Sequence, residues 1–255
     1  MMHREGILVI GHGTRDSRGQ GEFLRIVEMM AARAKQPVEA AFLELVEPSI
    51  EQGLERLIAR GIRQVTAIPV LLFTAGHARR DVPDGLAHAA AQLQRAGLWN
   101  AADPLQIRQT DPLDCHPRIV ALSDHRYENA LAGRAPVPAE ETCLVLISRG
   151  SSDPQTPANL RRLAEARRQP APYGRFELGF VAAARPTLGD ALAAAAASPA
   201  RRIVVQPHLL FPGQVLDEVR TAVAQAAREY SDREWITADV LGADPELAVA
   251  LLGMM

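Results

Sequence analysis

An internal duplication constrains this chain more than any other feature. The stretch Phe42-Leu43-Glu44-Leu45-Val46-Glu47-Pro48-Ser49-Ile50 is echoed by Phe180-Val181-Ala182-Ala183-Ala184-Arg185-Pro186-Thr187-Leu188, and Pro69-Val70-Leu71-Leu72-Phe73 by Pro207-His208-Leu209-Leu210-Phe211, both at an offset of 138 residues. At an offset of 137, Gly11-His12-Gly13-Thr14-Arg15-Asp16 meets Ser148-Arg149-Gly150-Ser151-Ser152-Asp153. Three landmarks that keep order and spacing over half the chain mark a tandem repeat of one structural unit. The two copies are chemically unequal. His12 becomes Arg149, Glu44 becomes Ala182, and His77 becomes Val215, or Gln214 with a one-residue gap that aligns Gly76 with Gly213. The residues able to do chemistry sit in the first copy.

With 255 residues, the chain is long enough for two compact domains with real cores. The repeat places them at residues 1–133 and 142–255. The linker is 134–141, where Ala135-Pro136-Val137-Pro138-Ala139 suits neither a helix interior nor a central strand. A net charge of -2 without runs of like charge argues against nucleic acid and against a membrane surface as partner. No apolar segment has the length of a signal peptide or a membrane span, so the expected location is the cytoplasm. Cys115 and Cys143 stand apart, which indicates neither a thiolate zinc site nor a disulfide framework.

Within each half, short β-rich runs alternate with helical periodicity. Ile7 to Ile10, Val38 to Leu43, Val65 to Val70 and Leu105 to Arg108 read as buried parallel strands. Phe23, Ile26, Val27, Met30 and Ala34 form the stripe of an amphipathic helix, and a second helix begins near Pro48. Further helices run from Val82-Pro83 to about Arg95 and from His116-Pro117 to about Leu131. The second half repeats the plan, with strands at Leu144 to Ile147, Phe176 to Val181, Arg202 to Gln206 and Trp235 to Val240. Parallel βα units gather ligands at the carboxyl ends of their strands. That rule brings together His12 after strand one, Glu44 at the end of strand two and His77 after strand three, facing a crevice toward which the second domain would turn its own.

Two imidazoles and a carboxylate suit a borderline divalent metal. Gly11 and Gly13 around His12 let backbone approach a ligand closely. Asp81 reads either as a carboxylate that orients His77 or as a helix cap, and Glu44 and Glu47 compete for the site and for capping the helix near Pro48. His116 reads as a helix-start residue, His88 and His125 as helix-surface residues, and His3 as terminal. His208, beside a strand end of the second half, is a candidate for touching a ligand. Arg149 is either an ion-pair partner or a carboxylate clamp, for which guanidinium geometry is well suited.

The runs Ile-Gly-His-Gly-Thr-Arg (10–15), Ala-Phe-Leu-Glu-Leu-Val-Glu-Pro-Ser-Ile (41–50), Pro-Val-Leu-Leu-Phe-Thr-Ala-Gly-His-Ala-Arg-Arg-Asp-Val-Pro (69–83) and Ser-Arg-Gly-Ser-Ser-Asp-Pro (148–154) closely resemble the CbiX/SirB-type sirohydrochlorin chelatases over nearly the whole chain. The resemblance implies an α/β class II chelatase fold of two tandem flavodoxin-like domains, parallel sheets flanked by helices. It implies insertion of Co(II) or Fe(II) into sirohydrochlorin toward cobalamin or siroheme, without ATP. On that pattern His12, Glu44 and His77 carry over as metal-binding and catalytic residues, and the second half looks like the family's degenerate domain. The chain lacks the His-rich tail or cysteine cluster of some relatives, so no iron–sulfur centre is expected.

Metallation removes two pyrrole N–H protons as the ion enters, which calls for a weakly held metal and a base titrating near neutrality. His12 and His77 would present the ion and accept protons while Glu44 completes the shell or relays them. Apolar walls drawn from Leu71, Leu72, Phe73, Leu209, Leu210 and Phe211 would hold the ring, although the leucines suit a core equally and the alternate positions of each run suit it better. Arg15, Arg79, Arg80 and Arg149 would meet the peripheral carboxylates, with His208 as a further substrate contact. A chain that already carries both domains is expected to be a monomer. Two other classes use similar groups: a histidine phosphatase, which wants arginine where Gly11 stands, and a non-catalytic cobalt or nickel carrier.

Overall fold

In a computed structural model of the chain, residues 4–73, 80–167 and 171–255 are described. His77 and Arg79, and also His3, lie outside the described residues. The first repeat forms a parallel sheet in the order β2-β1-β3-β4 from β1 (Glu5–Gly11), β2 (Val38–Phe42), β3 (Gln64–Pro69) and β4 (Gln106–Gln109). The second forms β6-β5-β7-β8 from β5 (Thr142–Ser148), β6 (Arg175–Phe180), β7 (Arg202–Pro207) and β8 (Glu234–Thr237). Identical strand order in two independent sheets is the duplication expressed in topology, and α/β units with parallel sheets flanked by helices are as expected.

Why these segments become strands follows from burial on both faces. Ile7, Leu8, Val9 and Ile10 of β1 are at most 1% exposed, so a continuous apolar run rather than an alternating one is stable there. Covering one face of the first sheet, α2 (Ile50–Ala59) and α3 (Val82–Arg95) bury Leu54, Leu57, Leu86 and Leu93 against Leu8, Ile10 and Val65. Between β1 and β2 runs α1 (Ser17–Ala31), which buries Phe23, Ile26, Val27 and Met30 and ends three residues short of Ala34. Asp16 caps it through Arg18 N–H. Ser49 and Gln52 cap α2 reciprocally. Thr187 and Asp190 do the same for α6 (Leu188–Ala196), so even the cap is duplicated.

Compactness divides the chain differently from the repeat. One unit comprises Met1–Asp114 and Ala243–Met255, the other Cys115–Gly242. The boundaries read from the repeat, 1–133 and 142–255, therefore do not coincide with the contact units. The reason is the last helix of each repeat. The helix α4 (Pro117–Leu131) belongs to the second unit, where Tyr127 donates its hydroxyl to the Pro172 carbonyl at 3.0 Å and Asp124 pairs with Arg167 at 2.7 Å. The helix α8 (Pro245–Gly253) belongs to the first, entered through the Ala243 N–H that donates to Glu22 Oε2 at 2.6 Å. Pro136 to Pro138 adopt neither helix nor strand, and a single 3-10 turn at Ala139–Glu141 leads into β5.

Candidate active site

At the carboxyl end of the first sheet, β1 and β2 leave side by side. Leu43 N–H donates to the Gly11 carbonyl at 2.9 Å and Glu44 N–H to the His12 carbonyl at 3.1 Å, so ladder-like pairing continues one step past the strands. This backbone crossing brings the side chains together, with His12 Nδ1 lying 3.4 Å from Glu44 Oε1. The crossing is close enough to exclude a side chain at residue 13. Gly13 has φ of 99°, and a β-carbon there would stand 1.9 Å from the Glu44 carbonyl oxygen. Only glycine meets both demands.

The separation of 3.4 Å is long for a hydrogen bond but suits two donors on one ion. Nitrogen and oxygen each about 2.1 Å from a tetrahedrally coordinated metal stand roughly 3.4 Å apart. Nδ1 is shielded from solvent, whereas Glu44 is half exposed. Among the described residues no cluster of three or more His, Cys, Asp and Glu side chains could hold a metal. His77 lies outside them. The pair His12–Glu44 is thus what the structure brings together from the expected set.

The other expected residues divide by exposure. Arg15, Glu47, Arg80 and Asp81 are exposed, with Asp81 at the N-cap position of α3 but making no cap through its side chain. Arg149 is exposed at the end of β5. His208, in contrast, is 1% exposed, and burial together with the neighbouring Arg167 guanidinium lowers its imidazole pKa to about 3. Its place in the interior leaves no face open to a ligand. His116 caps α4, its Nδ1 accepting from Arg118 N–H at 3.2 Å, while His88 and His125 are exposed on helices. Cys143 is buried, which pushes its thiol up to about 12.

The second sheet keeps the architecture of the site without its side chains. Val181 N–H donates to the Ser148 carbonyl at 3.1 Å and Ala182 N–H to the Arg149 carbonyl at 2.9 Å. Gly150 has φ of 87°, and a β-carbon there would stand 1.9 Å from the Ala182 carbonyl oxygen. One further residue beside the first site drew no attention in the sequence. Leu45 is exposed and has φ of 71°. The available signal was its loss to Ala183 at the same step that turns Glu44 into Ala182.

Two parallel α/β units share one strand order, and the first carries an imidazole–carboxylate pair at its strand ends. The chain belongs to the CbiX family, whose model matches residues 6–130 and, a second time, 143–253. A sirohydrochlorin ferrochelatase of Priestia megaterium is 27% identical over 247 residues, covering 96% of this chain and 87% of that protein. A sirohydrochlorin cobaltochelatase of the same organism is 24% identical over 250 residues, covering 98% and 78%. The structure of SirB from Bacillus subtilis with Fe3+ superposes with a TM-score of 0.83 at 26% identity, covering 98% of this chain and 93% of that one.

Proposed function

We infer that the protein is a sirohydrochlorin chelatase, an enzyme that inserts Co2+ or Fe2+ into sirohydrochlorin. The observation that carries this reading is the His12–Glu44 pair, set at 3.4 Å by a backbone crossing in a chain whose full-length relatives are named for both metals. The ion is substrate, not a resident cofactor. Its entry releases two protons from pyrrole nitrogens, so the metallated ring carries the same net charge as the free ring and the two protons need acceptors.

His12 and Glu44 supply one nitrogen and one oxygen donor to the incoming ion, and His77 is assigned as the third donor from its place in the sequence. A partial shell of this kind holds an ion without saturating it, which leaves positions for ring nitrogens. As the ring takes over coordination, the freed imidazoles accept the pyrrole protons and Glu44, half exposed, passes them to solvent. Glu47 and Asp81 are assigned supporting carboxylate roles. Arg15, Arg79, Arg80 and Arg149 are assigned to the peripheral carboxylates of the substrate, for which guanidinium offers two parallel donors. The reaction draws on neither ATP nor an iron–sulfur cluster, and the protein acts as a cytoplasmic monomer. Among the described residues no helix is long and apolar enough to cross a membrane.

The test is spectroscopic. Purified protein mixed anaerobically with sirohydrochlorin and Co2+ or Fe2+ accelerates the shift of the visible spectrum well beyond the rate of metal and ring alone. Equal rates with and without protein, for both metals, would refute the assignment. Binding of metal without acceleration would identify a carrier instead.

A further inference from the structure

Leu45 directly follows Glu44 and is 55% exposed. Among the described residues the other exposed large hydrophobics are Leu24 at 39% and Met255 at 40%. Its backbone is also unfavourable. A residue carrying a β-carbon enters the left-handed region, here φ of 71°, against a steric penalty that glycine escapes and asparagine tolerates better. Neither folding nor solvation selects leucine at such a position.

The second repeat supplies the control. Ala183 occupies the equivalent turn at φ of 54°, and the hydrogen bond that closes the turn is kept: Phe180 N–H donates to the Pro186 carbonyl at 3.0 Å, as Phe42 N–H does to Pro48 at 2.7 Å. The turn therefore forms without a long side chain. What disappears together with the isobutyl group is the carboxylate of the preceding residue. The apolar side chain goes with the chemistry and not with the fold.

We propose that Leu45 is a substrate-contact residue: its exposed side chain lies against the apolar face of the tetrapyrrole and sets the position of the ring over the His12–Glu44 pair. The inference rests on the chelatase reading above. A tetrapyrrole presents charged groups at its rim and an apolar face at its centre, so arginines can hold the rim but only an apolar group can lie against the face without losing hydration. Strained, exposed residues of this kind recur at ligand sites, where the surrounding structure fixes them.

The experiment compares Leu45→Ala, Leu45→Gly, Leu45→Met and, as control, Leu24→Ala in the spectroscopic assay with Co2+. Ring contact buries about half of the three carbons that alanine lacks, which corresponds to about an eightfold rise in KM with kcat changed less than about twofold. Leu45→Met restores the wild-type KM and Leu24→Ala leaves it unchanged. Leu45→Gly separates binding from folding, because it relieves the backbone and so does not lower the melting temperature while it raises KM at least as much as alanine does. Wild-type KM in Leu45→Ala or Leu45→Gly, with the wild-type enzyme metallating normally, overturns the role of Leu45 alone. A wild-type protein that neither binds nor metallates the ring overturns the chelatase reading, and this proposal with it.

Discussion

A pair of glycine substitutions, one in each repeat, separates the strand end that carries the His12–Glu44 pair from its counterpart. At Gly13 an added β-carbon would stand 1.9 Å from the Glu44 carbonyl oxygen, and the backbone at φ of 99° resists any L side chain. Ordinary contact requires the two segments to part by roughly 1.5 Å. Such a movement stretches the 3.1 Å hydrogen bond from Glu44 N–H to the His12 carbonyl and carries the two side chains apart. Backbone strain costs about 1–2 kcal/mol and the hydrogen bond about 1, so Gly13→Ala loses on the order of 2–3 kcal/mol of stability. Displacing positioned groups by about 1 Å costs about a hundredfold in rate. Gly150→Ala meets the same obstruction, 1.9 Å from the Ala182 carbonyl oxygen at φ of 87°, and loses the same stability. No ligand pair stands behind it. Circular dichroism melts should therefore fall by similar amounts in the two variants, while kcat falls about a hundredfold in Gly13→Ala and is retained in Gly150→Ala, whose displacement of Arg149 shows in KM. Equal loss of kcat in both variants, measured well below their melting temperatures, would show that the two strand ends are not functionally different.

His12→Ala or His77→Ala lowers chelation by about a hundredfold, whereas His88→Ala and His125→Ala leave it near wild type; steady-state rates at saturating metal decide this. Arg149→Ala raises KM with kcat nearly unchanged, and an unchanged affinity would reduce Arg149 to a structural role. Acid sensitivity follows from His208. Its imidazole stays neutral in the folded protein down to about pH 3, whereas the unfolded chain takes up the proton near 6.5. Below that value the unfolded state binds more protons, so stability falls with decreasing pH by at most about 1.4 kcal/mol per pH unit. In His208→Val, the residue that Val70 supplies in the first repeat, urea midpoints measured between pH 6.5 and 4 decline less steeply than in wild type.

Those elements that are buried on both faces were readable because nothing else in the sequence competes with them. The apolar run from Ile7 to Ile10 becomes a strand in the middle of the sheet, and α3 covers Val82–Arg95 as its proline start and apolar spacing require. The ends were less readable because they depend on local capping. Ala34 continues the apolar stripe of α1, yet the helix stops at Ala31, and Val240 lies beyond the end of β8 at Thr237. In the site, the strand-end rule placed His12 beside Glu44. It could not give the close crossing at Gly13, which depends on two loops meeting. Nor could it predict that His208, at a strand end like the others, is buried at 1% exposure.

The assignment of the last helices was illegible for a different reason. A repeat records which segments descend together, whereas packing depends on which surfaces match. The buried surface of α4 is partly polar. Ser123 is fully buried, its hydroxyl and carbonyl oxygens accepting from Gln206 Nε2 at 3.1 and 2.7 Å, and Asp124 accepts from Arg167 Nε at 2.7 Å. Gln206 Oε1 in turn accepts from Arg167 Nη1 at 2.7 Å, and the guanidinium lies 5.5 Å from the Tyr127 ring centroid. By contrast, α8 buries Leu247, Ala248, Ala250 and Leu251. Placing α8 in the second unit would remove acceptors from an arginine that is 2% exposed and a glutamine that is 1% exposed. Each such loss costs about 1–3 kcal/mol, and the charged group costs more. The first unit offers Ile68 where the second has Gln206, so α4 there would bury a serine and an aspartate without these partners. Polar residues in the interior thus decide which helix joins which unit, and they do so in the repeat whose strand ends carry Arg149 and Ala182 in place of His12 and Glu44.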